Sequence, residues 1–143
     1  MRTATVIAQN LVRLLGLVLI GLGILFWTRA DYSESLVRVH MQLGVALVLI
    51  LWILAALGIR ARIGIGLVLG AVIWGFIVAA FGMILRRLLG SSPNPEVYRV
   101  LHLLAGLIAI GLAESLGARI KRSIRAVVRP DFTQTPPGPA STR

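Results

Sequence analysis

The sequence predicts an all-α membrane protein, a four-transmembrane-helix bundle, and three observations carry that prediction. Of 143 residues, 57% are apolar and only 14% charged, against roughly 45–50% and 25% in a soluble globular domain. Too little polar surface remains to coat a core of this size. Four apolar stretches, Leu14–Trp27, Val39–Ile59, Ile63–Leu85 and Val100–Ala118, alternate with short polar connections. In lipid no water reaches backbone N–H and C=O groups, so each stretch must satisfy them internally, as an α-helix does. Finally, the basic residues concentrate on alternate connections, as they do in chains that weave through a bilayer.

The first stretch has fourteen residues between Arg13 and Thr28, about 21 Å of helix against a hydrocarbon core of about 30 Å. Alone it has the length of a signal-peptide apolar region, with Thr28-Arg29-Ala30 as a weak cleavage site. Thr3–Val12 is apolar enough to lengthen it to a full span, with Arg13 snorkelling alongside. The other three stretches reach roughly 28–35 Å unaided. The second helix should start at the capping-box spacing of Asp31-Tyr32-Ser33-Glu34. The fourth should start at Asn94-Pro95-Glu96, where a cap, a first-turn proline and an acid follow one another. Ser91-Ser92-Pro93 ahead of it is loop chemistry. Trp27, Tyr32 and Tyr98 lie near this boundary, as an interfacial aromatic belt would.

Beyond the fourth span, residues 119–129 read as a basic amphipathic interfacial helix, with Ile120, Ile124, Val127 and Val128 on one face. Residues 130–143, including Pro136-Pro137-Gly138-Pro139, cannot bury enough apolar surface to order and read as a disordered cytoplasmic tail. The expected organisation is therefore a bundle over 1–118, an interfacial helix over 119–129 and a tail over 130–143.

Arg2, Arg13, Arg60, Arg62, Arg119, Lys121, Arg122, Arg125, Arg129 and Arg143 fall on one side of this topology. Arg29, Arg38, Arg86, Arg87 and Arg99 fall on the other, offset by Asp31, Glu34 and Glu96. The positive-inside bias puts both termini in the cytoplasm and makes the chain a multi-pass protein of a bacterial-type inner (plasma) membrane. The net charge of +10 comes without basic residues interleaved with stacking aromatics, so anionic lipid at the C-terminal helix, not nucleic acid, is the expected partner. Cysteine is absent, which excludes disulfides, thiolate metal sites, iron–sulfur clusters and cysteine nucleophiles. No Ser/His/Asp set, phosphate loop or paired-carboxylate site argues for a hydrolase.

The two histidines carry the functional reading. His40 lies nine residues after Asp31 and His102 eight after Asn94, about 13 and 12 Å along two helices that run in the same direction. Both imidazoles should therefore sit at one depth, in the outer half of the membrane. A tetrahedral zinc site lacks ligands there, whereas a haem brings four nitrogens and needs two axial ones. His40-x-x-x-Gly44 recurs as His102-x-x-x-Gly106, and Gly16-Leu17-Val18-Leu19 as Gly66-Leu67-Val68-Leu69, which hints at a parallel repeat of two hairpins. Gly44 and Gly106, with Ala109, Ala113 and Gly117 continuing the fourth helix's face, would admit a flat macrocycle or simply let helices pack. Arg38, Arg86, Arg87 and Arg99 gather where positive charge is disfavoured. Two propionates would explain them, as would lipid phosphates.

Through His40, Gly44, His102 and Gly106, the stretches Val39–Ile59 and Val100–Ala118 resemble the transmembrane cores of cytochrome b proteins. In those cores, histidines on alternate helices of a four-helix bundle clamp haem b. The resemblance implies one haem b held by His40 and His102 as axial metal ligands, and the propionate reading of the outer arginines would set Arg38 and Arg99 beside it. Two-haem members of that class have four histidines, and this chain has two.

The expected function is a membrane haem-b electron carrier or redox-complex subunit, exchanging electrons with quinol or an outer-face partner. The alternatives are a non-catalytic structural or assembly subunit of a membrane complex, whose histidines only bond between helices, and a small transporter using Glu114. Glu114 is the one carboxylate inside a span, and Arg119 with the basic segment is expected to neutralise it. Met83 is a distant second candidate as an axial ligand. Trp52 and Trp74 should pack in the bundle with an acceptor for each indole N–H.

Overall fold

The computed structural model describes residues 2–28 and 33–128, all but a few of them in four α-helices: α1 (Arg2–Thr28), α2 (Glu34–Arg60), α3 (Ile65–Ser91) and α4 (Pro95–Val128). All four are long and apolar enough to cross a membrane. Helix α1 takes in Thr3–Val12 as expected, which places Arg13 within the helix. Asp31, Tyr32, Arg29, Arg129 and the expected tail over 130–143 lie outside the described residues.

Helix α2 begins at Ser33, whose Oγ accepts the Leu36 N–H. Glu34 is thus the first-turn acid, where a carboxylate complements the helix dipole, and not the returning acid of a capping box begun at Asp31. Pro95 does open α4, where a missing N–H costs nothing.

The turn from α2 to α3 closes with two reversed hydrogen bonds, Arg62 N–H to Ile59 O at 3.0 Å and Ile63 N–H to Gly58 O at 3.2 Å. This is a Schellman motif, in which the residue after the cap adopts a left-handed conformation and is usually glycine. Here it is Arg62, with φ 53°, the one non-glycine residue with positive φ among the described residues. A side chain in that conformation costs roughly 1 kcal/mol relative to glycine. Ile63 folds back over Gly58, where a Cβ would come within 2.7 Å of Ile63 Cδ1.

In cross-section the bundle is a rhombus. Helices α1 and α3 each pack against α2 and α4, α2 meets α4 across the short diagonal, and the backbones of α1 and α3 never approach each other. The diagonal is short because α4 presents Ala105, Ala109 and Ala113, all buried, at four-residue spacing, so that one face carries only small side chains. Leu47, Leu51, Leu54 and Ala55 of α2 meet that face in the core. Large apolar residues such as Leu14, Leu17, Ile53, Ile73 and Phe76 cover the outside, a surface that hydrocarbon accepts and water does not.

Helix α4 continues for 34 residues, so residues 119–128 prolong it and do not begin a new helix. No glycine or proline interrupts Ala118–Val128, and the backbone ladder runs on. Ile120 is fully buried, and Ser123 Oγ donates to Ala61 O at 2.9 Å, which ties the extension to the α2–α3 turn.

Candidate functional site: a facing histidine pair

His40 and His102 stand six and seven residues into α2 and α4, about 9 and 10 Å along each axis. The same two helices meet again at Ala61 and Ser123, so they run parallel and residues equally far along them share a level. The imidazole centroids are 6.2 Å apart with planes inclined by 52°. Each Nδ1 is buried and has no hydrogen-bond partner.

Two further rings complete the cluster. Phe26 of α1 sets its edge against His40 at 5.5 Å, and Phe81 of α3 against His102 at 5.8 Å. Each helix of the bundle therefore sends one ring to the same level. Phe26 and Phe81 were not singled out in the sequence, and only the levelling of all four helices could have found them.

The glycines one turn past each histidine stand in open space, as do Gly21, Gly66, Gly70 and Gly111, while Gly82 of α3 faces His102, whose Cε1 would lie 3.5 Å from a Cβ there. A Cβ placed on Gly44 or Gly106 meets nothing within 4 Å, whereas one on Gly16 would come within 2.7 Å of Ile110 Cδ1. A Cβ on Gly75 would strike the Trp52 indole, and one on Gly117 the Gln9 amide. Close helix packing thus explains Gly16, Gly75 and Gly117 but not the glycines one turn past each histidine.

Arg99 precedes His102 by three residues and is half-buried on the same side of α4, paired with Glu96 at 2.9 Å. Arg38 precedes His40 by two, about 200° round the helix, and is exposed away from the pair. Arg86 pairs with Glu34, and Arg87 is exposed. Met83 is 66% exposed and stands off the site.

Among the described residues no group of three or more His, Cys, Asp or Glu comes together to hold a bare metal ion. Two imidazoles alone do not complete a tetrahedral site. They do match an axial pair, since metal–nitrogen bonds of about 2 Å on opposite sides of one metal put the ring centres roughly 6 Å apart. Burying a polar atom without a partner costs about 2–7 kcal/mol depending on reference state, and two such atoms meet here. A metal bound at Nδ1 would satisfy both atoms, and the other nitrogen of each ring would then need an acceptor of its own.

Glu114 is bonded quite differently. Arg13 of α1 grips it through Nε at 2.7 Å and Nη2 at 2.8 Å, and Gln9 Nε2 adds a third bond at 3.1 Å. The expectation that Arg119 neutralises Glu114 is corrected by this contact. Five residues turn a helix by about 140°, so Arg119 looks elsewhere, while α1 lies directly against the Glu114 face. Gln9 was not singled out in the sequence, and Arg13, expected to snorkel along α1, instead holds Glu114. Trp52 and Trp74 find their acceptors as expected, in Val72 O at 3.3 Å and Ala105 O at 3.0 Å.

No family model, curated protein or solved structure matches the chain.

Proposed function

We propose that the chain is a membrane haem-b protein that acts as an electron carrier or redox-complex subunit, with His40 and His102 as the axial ligands of one haem. The observation that supports this most is the pair itself: two imidazoles from parallel helices, 6.2 Å apart, each with a buried nitrogen lacking a partner. Bound between them, the haem would supply one-electron redox chemistry. The chain's own contribution is positional. Helices α2 and α4 hold the rings on the short diagonal, Phe26 and Phe81 shield them from the flanks, and the unfilled space at Gly44 and Gly106 leaves room for a flat group. Arg99 offers a cation on the His102 side for an acidic edge, and Arg38 can serve only from the surface.

By the positive-inside bias the histidine end faces outward and both termini are cytoplasmic, in a bacterial-type inner membrane with anionic lipid around the C-terminal part of α4. A site at one end leaves most of the bilayer uncrossed, so electrons would be exchanged with quinol, an outer-face partner or a larger membrane complex. Glu114, held by three hydrogen bonds from Gln9 and Arg13, reads as a strut between α1 and α4 and not as a transport site. One observation favours the non-catalytic structural reading: Phe26 and Phe81 already pack against the imidazoles. The absorption spectrum of protein purified from haem-replete cells decides. A low-spin bis-histidine spectrum supports the proposal, and a folded, colourless protein that takes up no added haem rejects it.

A further inference from the structure

We infer that the end of the bundle opposite the histidines carries a binding site for the headgroup of an anionic phospholipid with two phosphates. Arg60 and Arg62 on the α2–α3 turn form it together with Arg119 and Arg122 on α4. The inference depends on the membrane setting but not on the haem.

Three observations converge on it. The acidic residues among those described are Glu34, Glu96 and Glu114. The first two sit at the histidine end, and the third is gripped by Arg13. The four arginines therefore have no carboxylate partner among the described residues. The Ser123–Ala61 hydrogen bond then fixes the two pairs beside each other. Arg60 and Arg62 flank Ala61, Arg119 lies one turn before Ser123 on the same helix face, and Arg122 is its neighbour. All four are exposed.

The third observation concerns Arg62 alone. It occupies the left-handed position of a Schellman turn, where glycine would serve the backbone better. Fold geometry does not ask for this side chain, and its charge is what remains to explain it. A guanidinium binds phosphate oxygens bidentately, so two arginines on the turn and two on α4 suit two linked phosphates better than one. Basic pockets between helices on the cytoplasmic side bind such headgroups.

The test uses the full chain in detergent, with lipid binding read by native mass spectrometry for cardiolipin, phosphatidylglycerol and phosphatidylcholine. Cardiolipin should bind most tightly. Arg62→Gly should weaken it roughly fivefold, the contribution of one basic residue near an anionic surface, while unfolding at the same temperature as the parent or higher. Arg60→Gln with Arg119→Gln should weaken it further, and Arg87→Gln at the far end should change nothing. Unaltered cardiolipin binding in Arg62→Gly overturns the site. So does an equal loss in Arg87→Gln, or equal affinity for phosphatidylglycerol per phosphate, either of which would reduce the effect to diffuse attraction. Displacement of the lipid by inorganic pyrophosphate at comparable affinity would overturn the assignment to a lipid.

Discussion

The histidine pair and the Glu114 clasp lie twelve residues apart on α4, about 18 Å along the axis, and treat their polar groups in opposite ways. At Glu114 the carboxylate takes three hydrogen bonds from α1, and Gly117 one turn on makes room for the donor Gln9. At the histidines two ring nitrogens go without, and the glycines one turn on make room for nothing in the chain. A saturated polar contact inside a bundle holds helices together. An unsaturated one leaves buried polar atoms for which the described residues supply no partner.

That contrast can be broken most severely at the histidines. Changing His40 or His102 to Ala should reduce bound haem to background or leave a high-spin form, with the two variants alike. Retention of the parent spectrum in either would falsify the paired-ligand proposal. Next in size is Gly117→Ala, whose new methyl group strikes the bonded Gln9 amide. It should destabilise the protein by roughly 1–3 kcal/mol in thermal unfolding, with haem content per folded molecule unchanged.

Gly44→Ala and Gly106→Ala sharpen the comparison in the other direction. With no atom to meet, they should leave apoprotein stability equal or raised by up to about 1 kcal/mol, yet lower haem affinity measured by titration. An unchanged affinity would show that the space is not the cofactor's. The smallest effect belongs to Trp74→Phe, which removes the bond to Ala105 O and leaves that carbonyl in its helix. A loss of about 0.5–1.5 kcal/mol in stability is expected, with the haem spectrum retained.

Much of this was legible in the sequence because periodicity and depth are one-dimensional. The four spans, the start at Pro95 and the shared level of His40 and His102 all follow from counting residues along helices of known rise. What escaped depends on which helix faces which. The pairing of Arg13 with Glu114 spans 101 positions and requires knowing that α1 packs against that face of α4. Phe26 and Phe81 join the site for the same reason. The left-handed Arg62 escaped because Gly64, two residues later, is the residue that turn rules would have chosen, and Ser33 displaced Asp31 as the cap because several consecutive residues there can cap.

The rhombic cross-section separates two properties that most sites couple. The spacing of the imidazoles is set along the α2–α4 diagonal, where small alanines lock the helices together. Cover over their flanks comes along the other diagonal, where the backbones of α1 and α3 stay apart and Phe26 packs against His40 and Phe81 against His102. Helix α1 thus covers the ring on α2, and helix α3 covers the ring on α4. The spacing of the two rings and the cover over each therefore rest on different pairs of helices.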